Sequence, residues 1–214
     1  MILYDGNGNQ IATIDSGKPY TGKKWVVLGD SISTTTHSPK PYHAVIAEKL
    51  GFTVVNLSAG GRTYETILAE QVPEIPADAD LITIMSGTND ASKGWTVGAA
   101  TDTGTDTFSG KIYATLLAIQ QQFPTIPIGV ITPVYKGNGT NASVQKISDA
   151  ITAVCKVHSV PCFDLNAGSG VLAFTDENIA HYYNDGAAAT HPNNAGQAVM
   201  AAKLEPFIRS LMPL

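Results

Sequence analysis

The chain has 214 residues, 43% of them hydrophobic and 14% charged, which is enough apolar material to bury a substantial core within the usual size of one domain. A formal net charge of -5, with no run of Lys or Arg, excludes the electrostatic footprint expected of a protein that binds nucleic acid or an anionic membrane surface. No segment approaches the roughly 20 apolar residues needed to cross a bilayer, and the N-terminus lacks a basic stretch followed by an apolar run, so the expectation is a soluble chain without an export signal.

In chain order, Ile2-Leu3-Tyr4 and Ile11 to Ile14 flank the turn-forming Asp5-Gly6-Asn7-Gly8-Asn9 and predict a hairpin. Residues 1–22 are read as this hairpin and a linker, and 23–214 as the main domain. Trp25-Val26-Val27-Leu28 is too short for a helix and has the β-branched character of a buried strand. Similar runs recur at Thr53 to Leu57, Leu81 to Met85, Ile126 to Ile131 and Val160 to Leu165. Between and after them, helices are predicted at Tyr42 to Leu50, Thr63 to Gln71, Phe108 to Phe123, Ser143 to Val157 and Asn194 to Leu211. This βα alternation predicts an α/β fold, a three-layer sandwich with a parallel sheet between helices. Cys155 and Cys162 are too few for a disulfide framework and wrongly spaced for a zinc site, and read as small buried hydrophobes.

In an open parallel sheet, ligands bind beyond the carboxyl ends of the strands, and the polar residues of this sequence stand there. Gly29-Asp30-Ser31 follows the first main strand, where a glycine permits a tight turn and presents a serine; Ser and Asp are also ordinary capping residues. Gly60-Gly61-Arg62-Thr63 follows the second, either letting backbone N–H groups approach a ligand or forming a simple turn with Thr63 as cap. Gly87-Thr88-Asn89-Asp90 follows the third, with Asn89 placed to donate to a developing oxyanion or to close an Asx turn. Near the C-terminus, His191-Pro192-Asn193 precedes the last helix, whose dipole favours the neutral imidazole that a general base requires.

These four blocks, in this order, resemble the SGNH (GDSL-type) hydrolase family over residues 25–211, including members that occur as phage-tail or bacterial surface domains. The resemblance implies a flavodoxin-like fold with five parallel strands and no cofactor. It makes Ser31 the nucleophile and His191 the base, and assigns the oxyanion hole to the Ser31 and Gly61 N–H groups and the Asn89 side chain, with Gly60 the alternative if the loop is shifted by one. The family pattern puts an Asp three residues before the His, where this chain has Ala188; the nearest upstream acid is Asp185. Either a longer loop brings Asp185 to the imidazole, or the site is a Ser-His dyad; Asp176 and Glu177 are less suited because they should lie on a separate loop.

The implied activity is hydrolysis of an ester through an acyl-enzyme. The stretch Ala91 to Thr107, rich in Thr, Gly and Asp, suits a sugar carrying a small acyl group better than a lipid, with Trp95 either a substrate-binding residue or half-buried packing. The expected partner is therefore a small acylated substrate, a polysaccharide being one candidate to carry it, with neither nucleic acid nor membrane. The alternatives are an inactive carbohydrate-binding or attachment module on the same fold, a lipase-type acylhydrolase, and a metal-dependent hydrolase. The last must explain why His37, His43, His158 and His181 are scattered without paired ligand spacing.

Overall fold

The apolar runs form strands whose side chains alternate between two cores. In the computed structural model, which describes residues 2–13, 17–137 and 141–213, an antiparallel hairpin of β1 (Ile2–Tyr4) and β2 (Gln10–Thr13) comes first. The Asp5 carboxylate closes its turn by accepting from the Asn7 and Asn9 N–H groups, both at 2.8 Å; Ile14 lies outside the described residues. The main sheet comprises β3 (Lys24–Gly29), β4 (Thr53–Asn56), β5 (Leu81–Met85), β6 (Ile128–Ile131) and β7 (Cys162–Phe163). All its pairings are parallel and the order is β4-β3-β5-β6-β7. The expected five-stranded parallel sheet between two helical layers is therefore what the chain forms.

The helices are α1 (Tyr42–Leu50), α2 (Tyr64–Thr66, continuing as a π turn over Ile67–Gln71), α3 (Phe108–Gln122), α4 (Asn141–Val157), α5 (Leu165–Gly168), α6 (Asp176–Tyr182) and α7 (Asn194–Leu211). Trp25, Val27, Leu81, Met85 and Ile131 point to one face and pack with residues of α1 and α7. Val26, Leu28, Ile82, Ile84 and Val130 point to the other, against α2, α3 and α4. Full burial of one such Leu or Ile contributes about 1.5–3 kcal/mol, and burial on both faces makes the three central strands nearly continuous apolar runs. Thr83, completely buried on β5, accepts from the Trp25 indole N–H at 2.8 Å, so the one polar side chain in that strand has a partner.

Residues just before β3 already belong to the core. Tyr20 stacks on Phe52 at 4.6 Å and donates its hydroxyl to the Met212 carbonyl at 2.7 Å. Cys155 is buried and Cys162 partly so, both as free thiols.

Three predicted elements change in detail. The segment from Ile126 pairs only from Ile128, because Pro127 has no N–H and offers the sheet only its carbonyl, which accepts from Ile82 at 3.0 Å. The last run shrinks to Cys162–Phe163: Pro161 precedes it, and Asp164 ends it by capping α5 through the Ala167 N–H. The second helix has a true capping box at Thr63 and Thr66, then widens into its π turn and tightens again at Val72–Glu74, where Pro73 stops it.

Candidate active site

The order of strands reverses at β3 and β5, and ligand sites in such sheets lie at that point, beyond the carboxyl ends. Ser31 stands there, two residues past the end of β3, in a single 3₁₀ turn over Ser31–Ser33. The turn is fixed from every side. Asp30 is buried and accepts from the Ile32 N–H at 3.0 Å. The Ser33 carbonyl accepts from His43 Nε2 at 2.9 Å and from Asn56 Nδ2 at 2.8 Å, and the Ile32 carbonyl from Gln197 Nε2 at 2.9 Å. Upstream, the Gln71 amide clasps both backbone groups of Gly29, accepting from its N–H at 2.9 Å and donating to its carbonyl at 2.8 Å. Gly29 itself is required by space, since a Cβ there would lie 2.6 Å from the Met85 carbonyl oxygen of β5.

Ser31 Oγ lies 3.0 Å from His191 Nε2, and His191 Nδ1 lies 3.0 Å from Asp185 Oδ2. The structure thus brings all three side chains into one hydrogen-bonded line, with His191 and Asp185 each about three-quarters shielded from solvent. The six-residue spacing is absorbed by a 3₁₀ turn over Gly186–Ala188, after which Ala189 takes a left-handed conformation (φ 40°) and the chain doubles back. The Ala189 methyl is fully buried. Asp185 also accepts from the Thr190 N–H at 3.0 Å and the His191 N–H at 3.2 Å. Partial burial raises the Asp185 carboxyl pKa, but the His191 and Thr190 N–H groups and the imidazole together more than offset this, leaving it below its ordinary value.

Asn89 follows β5 and donates one amide hydrogen to the Arg62 carbonyl at 2.9 Å, tying its side chain to the loop after β4. In that loop Gly61 has φ 76° and is exposed, with nothing within 4 Å of where a Cβ would stand. Among the described residues, neither the Ser31 nor the Gly61 N–H has a protein acceptor. Gly60 is also exposed in this loop. Gly87, with φ 126°, lets the chain pass between Pro133 and Ile147, where a Cβ would come within 2.7 and 2.9 Å of their side chains.

Trp95 lines a groove with Asp90, Ala91 and Lys146, on the α3 and α4 side of the sheet. Its ring lies nearly parallel to Phe108 at 6.4 Å, and the Lys111 ammonium covers it at 4.6 Å while pairing with Glu65 at 2.9 Å. Trp95 is half-buried, with part of its ring open to solvent. The remaining histidines are dispersed: His43 is buried beneath the serine turn, and His158 bonds Gln120 at 2.7 Å through Nδ1. Asp176 and Glu177 open α6, and the carboxylate that meets the imidazole is that of Asp185. One residue at the site carried no sequence signal: His37, six positions after Ser31, stacks face to face on His191 with ring centroids 3.7 Å apart.

The GDSL-like lipase/acylhydrolase family model matches residues 27–199. No curated protein matches the chain. Among solved structures, a protein from Lactobacillus plantarum is 28% identical, with a TM-score of 0.78 over 89% of this chain and 98% of that one. A possible lipase from Chitinophaga pinensis is 20% identical, with a TM-score of 0.72 over 88% of this chain and 98% of that one. A catalytic mutant of the acetylxylan esterase Axe2 from Geobacillus stearothermophilus is 19% identical, with a TM-score of 0.64 over 92% and 97%. The family match spans every block from the β3 strand to the start of α7, and the chain is therefore a member of the GDSL-like (SGNH) lipase/acylhydrolase family of hydrolases.

Proposed function

We propose that this chain is a serine esterase that removes short acyl groups, acetyl above all, from a carbohydrate. The observation that carries the reading is the Ser31-His191-Asp185 line, with 3.0 Å at each junction. His191 Nε2 takes the Ser31 Oγ proton as the oxygen attacks the ester carbonyl. Asp185 accepts from Nδ1–H, keeping the Nε2 lone pair toward Ser31 and stabilising the imidazolium that forms. The carbonyl electrons move onto oxygen, where the N–H groups of Ser31 and Gly61 and the second amide hydrogen of Asn89 receive them. One preorganised donor of this kind is typically worth about 2.7–4 kcal/mol of barrier. His191 then protonates the departing alcohol, and water, deprotonated by the same imidazole, releases the acid.

The carbohydrate assignment draws on the hydroxyl-rich segment between Ala91 and Thr107 and on the fold shared with an acetylxylan esterase. A lipase-type acylhydrolase is the second reading. It is favoured by the exposure of Phe174 (72%) and Leu172 (44%) beside a groove of about 350 Å³ that Tyr135 also lines. Hydrolysis rates over p-nitrophenyl esters from acetate to decanoate, together with acetate release from acetylated xylan, decide between the two. The esterase reading expects acetate to be the best of the series, xylan to be deacetylated, and both activities to vanish in Ser31→Ala. A rate that rises with chain length favours the lipase, and activity retained by Ser31→Ala contradicts both.

A further inference from the structure

The ring of His37 is the group at this site that the hydrolytic mechanism leaves unused, and its placement is built rather than incidental. The chain is fastened at His37 itself and at the next residue to the segments on either side of His191. The Asn184 amide donates to the His37 carbonyl, and Asn184 itself donates its backbone N–H to the His191 carbonyl at 3.0 Å. The buried Ser38 donates its hydroxyl to Asn194 Oδ1 at 2.6 Å, at the first residue of α7. Beside these two anchors the rings of His37 and His191 lie 19° from parallel at 3.7 Å.

A ring stacked on the base affects catalysis in two ways. It blocks rotation of His191 out of the plane that reaches both Ser31 Oγ and Asp185 Oδ2. It also acts on charge, because the face of a neutral aromatic ring attracts a cation, and His191 becomes a cation once it has taken the serine proton. We propose that His37 is a positioning residue whose neutral imidazole holds His191 in line and stabilises its imidazolium as Ser31 attacks. The inference rests on the serine-esterase reading.

The proton balance is simple: the Ser31 Oγ proton passes to His191 Nε2, Nδ1–H stays with Asp185, and His37 gains and loses nothing. If His37 is itself protonated, two like charges face each other at stacking distance and the assistance is reversed. Burial first, and then the His191 charge, hold the His37 pKa below its ordinary value, while Asp185 pulls it back up. These are the charged groups that face the pair; Tyr183, buried beside Asp185, has its phenol pKa pushed well above the ordinary range and stays neutral.

The test compares wild type, His37→Phe and His37→Ala on p-nitrophenyl acetate across pH, with side-chain ¹⁵N NMR of the histidines in wild type and His191→Gln. His37→Ala is expected to lower kcat about tenfold with KM little changed, the scale of a partly desolvated cation-ring contact. His37→Phe, which keeps a ring face, is expected to recover most of that loss. On the acid side, log kcat/KM should fall more steeply in wild type than in His37→Phe, and His37 should titrate at higher pH in His191→Gln than in wild type. If kcat is the same in all three proteins, or His37 titrates identically with and without His191, the inference is wrong while the esterase reading stands. If wild type hydrolyses no ester, the reading fails and the inference fails with it.

Discussion

Asp185 is the residue whose role the sequence left open between two readings, and the reason is geometric. A carboxylate six positions before a histidine can reach its ring only if the intervening chain leaves the direct path and returns. Gly186 at φ 53° and Ala189 at φ 40° make both turns, and only the second is costly for a residue with a Cβ. Burial of the Ala189 methyl helps hold that conformation. Asp185→Asn keeps the size of the side chain but permits the wrong imidazole tautomer, and should lower kcat on the order of 10⁴-fold with the fold intact. The check is kcat for p-nitrophenyl acetate alongside a thermal melt; a loss below about tenfold would mean that the site works as a dyad. His37, by contrast, had no signal to read, since its stacking depends on a contact 154 positions away in sequence.

At the level of elements, the positions legible in the sequence were those with periodic apolar content. β3, β5, α1 and α7 have the expected bounds to within a residue or two because alternation or helical spacing of buried side chains defines them. α6 was not read although Thr175 caps it and Asp176 and Glu177 favour its N-terminus, because it buries no residue and shows no apolar period. The π turn was missed for a different reason: one extra residue per turn leaves composition unchanged. Its effect is to aim Gln71, 3% exposed, at both backbone groups of Gly29. Gln71→Ala leaves the buried Gly29 N–H, directly before the Ser31 turn, without its acceptor, while the Gly29 carbonyl keeps the Ala59 N–H at 3.2 Å, and should cost about 1–3 kcal/mol. Urea denaturation measures this, and a change below about 0.5 kcal/mol would show that Gly29 does not depend on the amide.

For the molecule as a whole, the sheet places the ends of β3, β4 and β5 side by side, which is why four short motifs far apart in sequence meet. The same arrangement buries two acids, Asp30 and Asp90, each with one carboxylate oxygen that lacks a protein partner. Burial pushes both pKa values up to about 7, and Asp30 adds to the effect on Asp90. A folded-state pKa above the ordinary 3.8 means that the folded chain binds these protons more tightly than the unfolded one. Their stabilising contribution is complete below about pH 4 and is lost as pH rises through 7. Asp185, with its lowered pKa, contributes in the opposite sense and only toward the acid end, its part being lost as pH falls below 4. Asp90→Asn should therefore flatten the fall in thermal midpoint between pH 4 and 7, and an unchanged pH dependence would show that Asp90 ionises freely in the folded chain.

The account as a whole depends on Ser31 forming a covalent acyl intermediate. The most direct measurement is an acid quench of the protein during turnover of p-nitrophenyl acetate, followed by peptide mass mapping. The account predicts an acetyl group on the peptide containing Ser31, absent in Ser31→Ala. Turnover with no acetyl on that peptide, or with the acetyl on another residue, would contradict it.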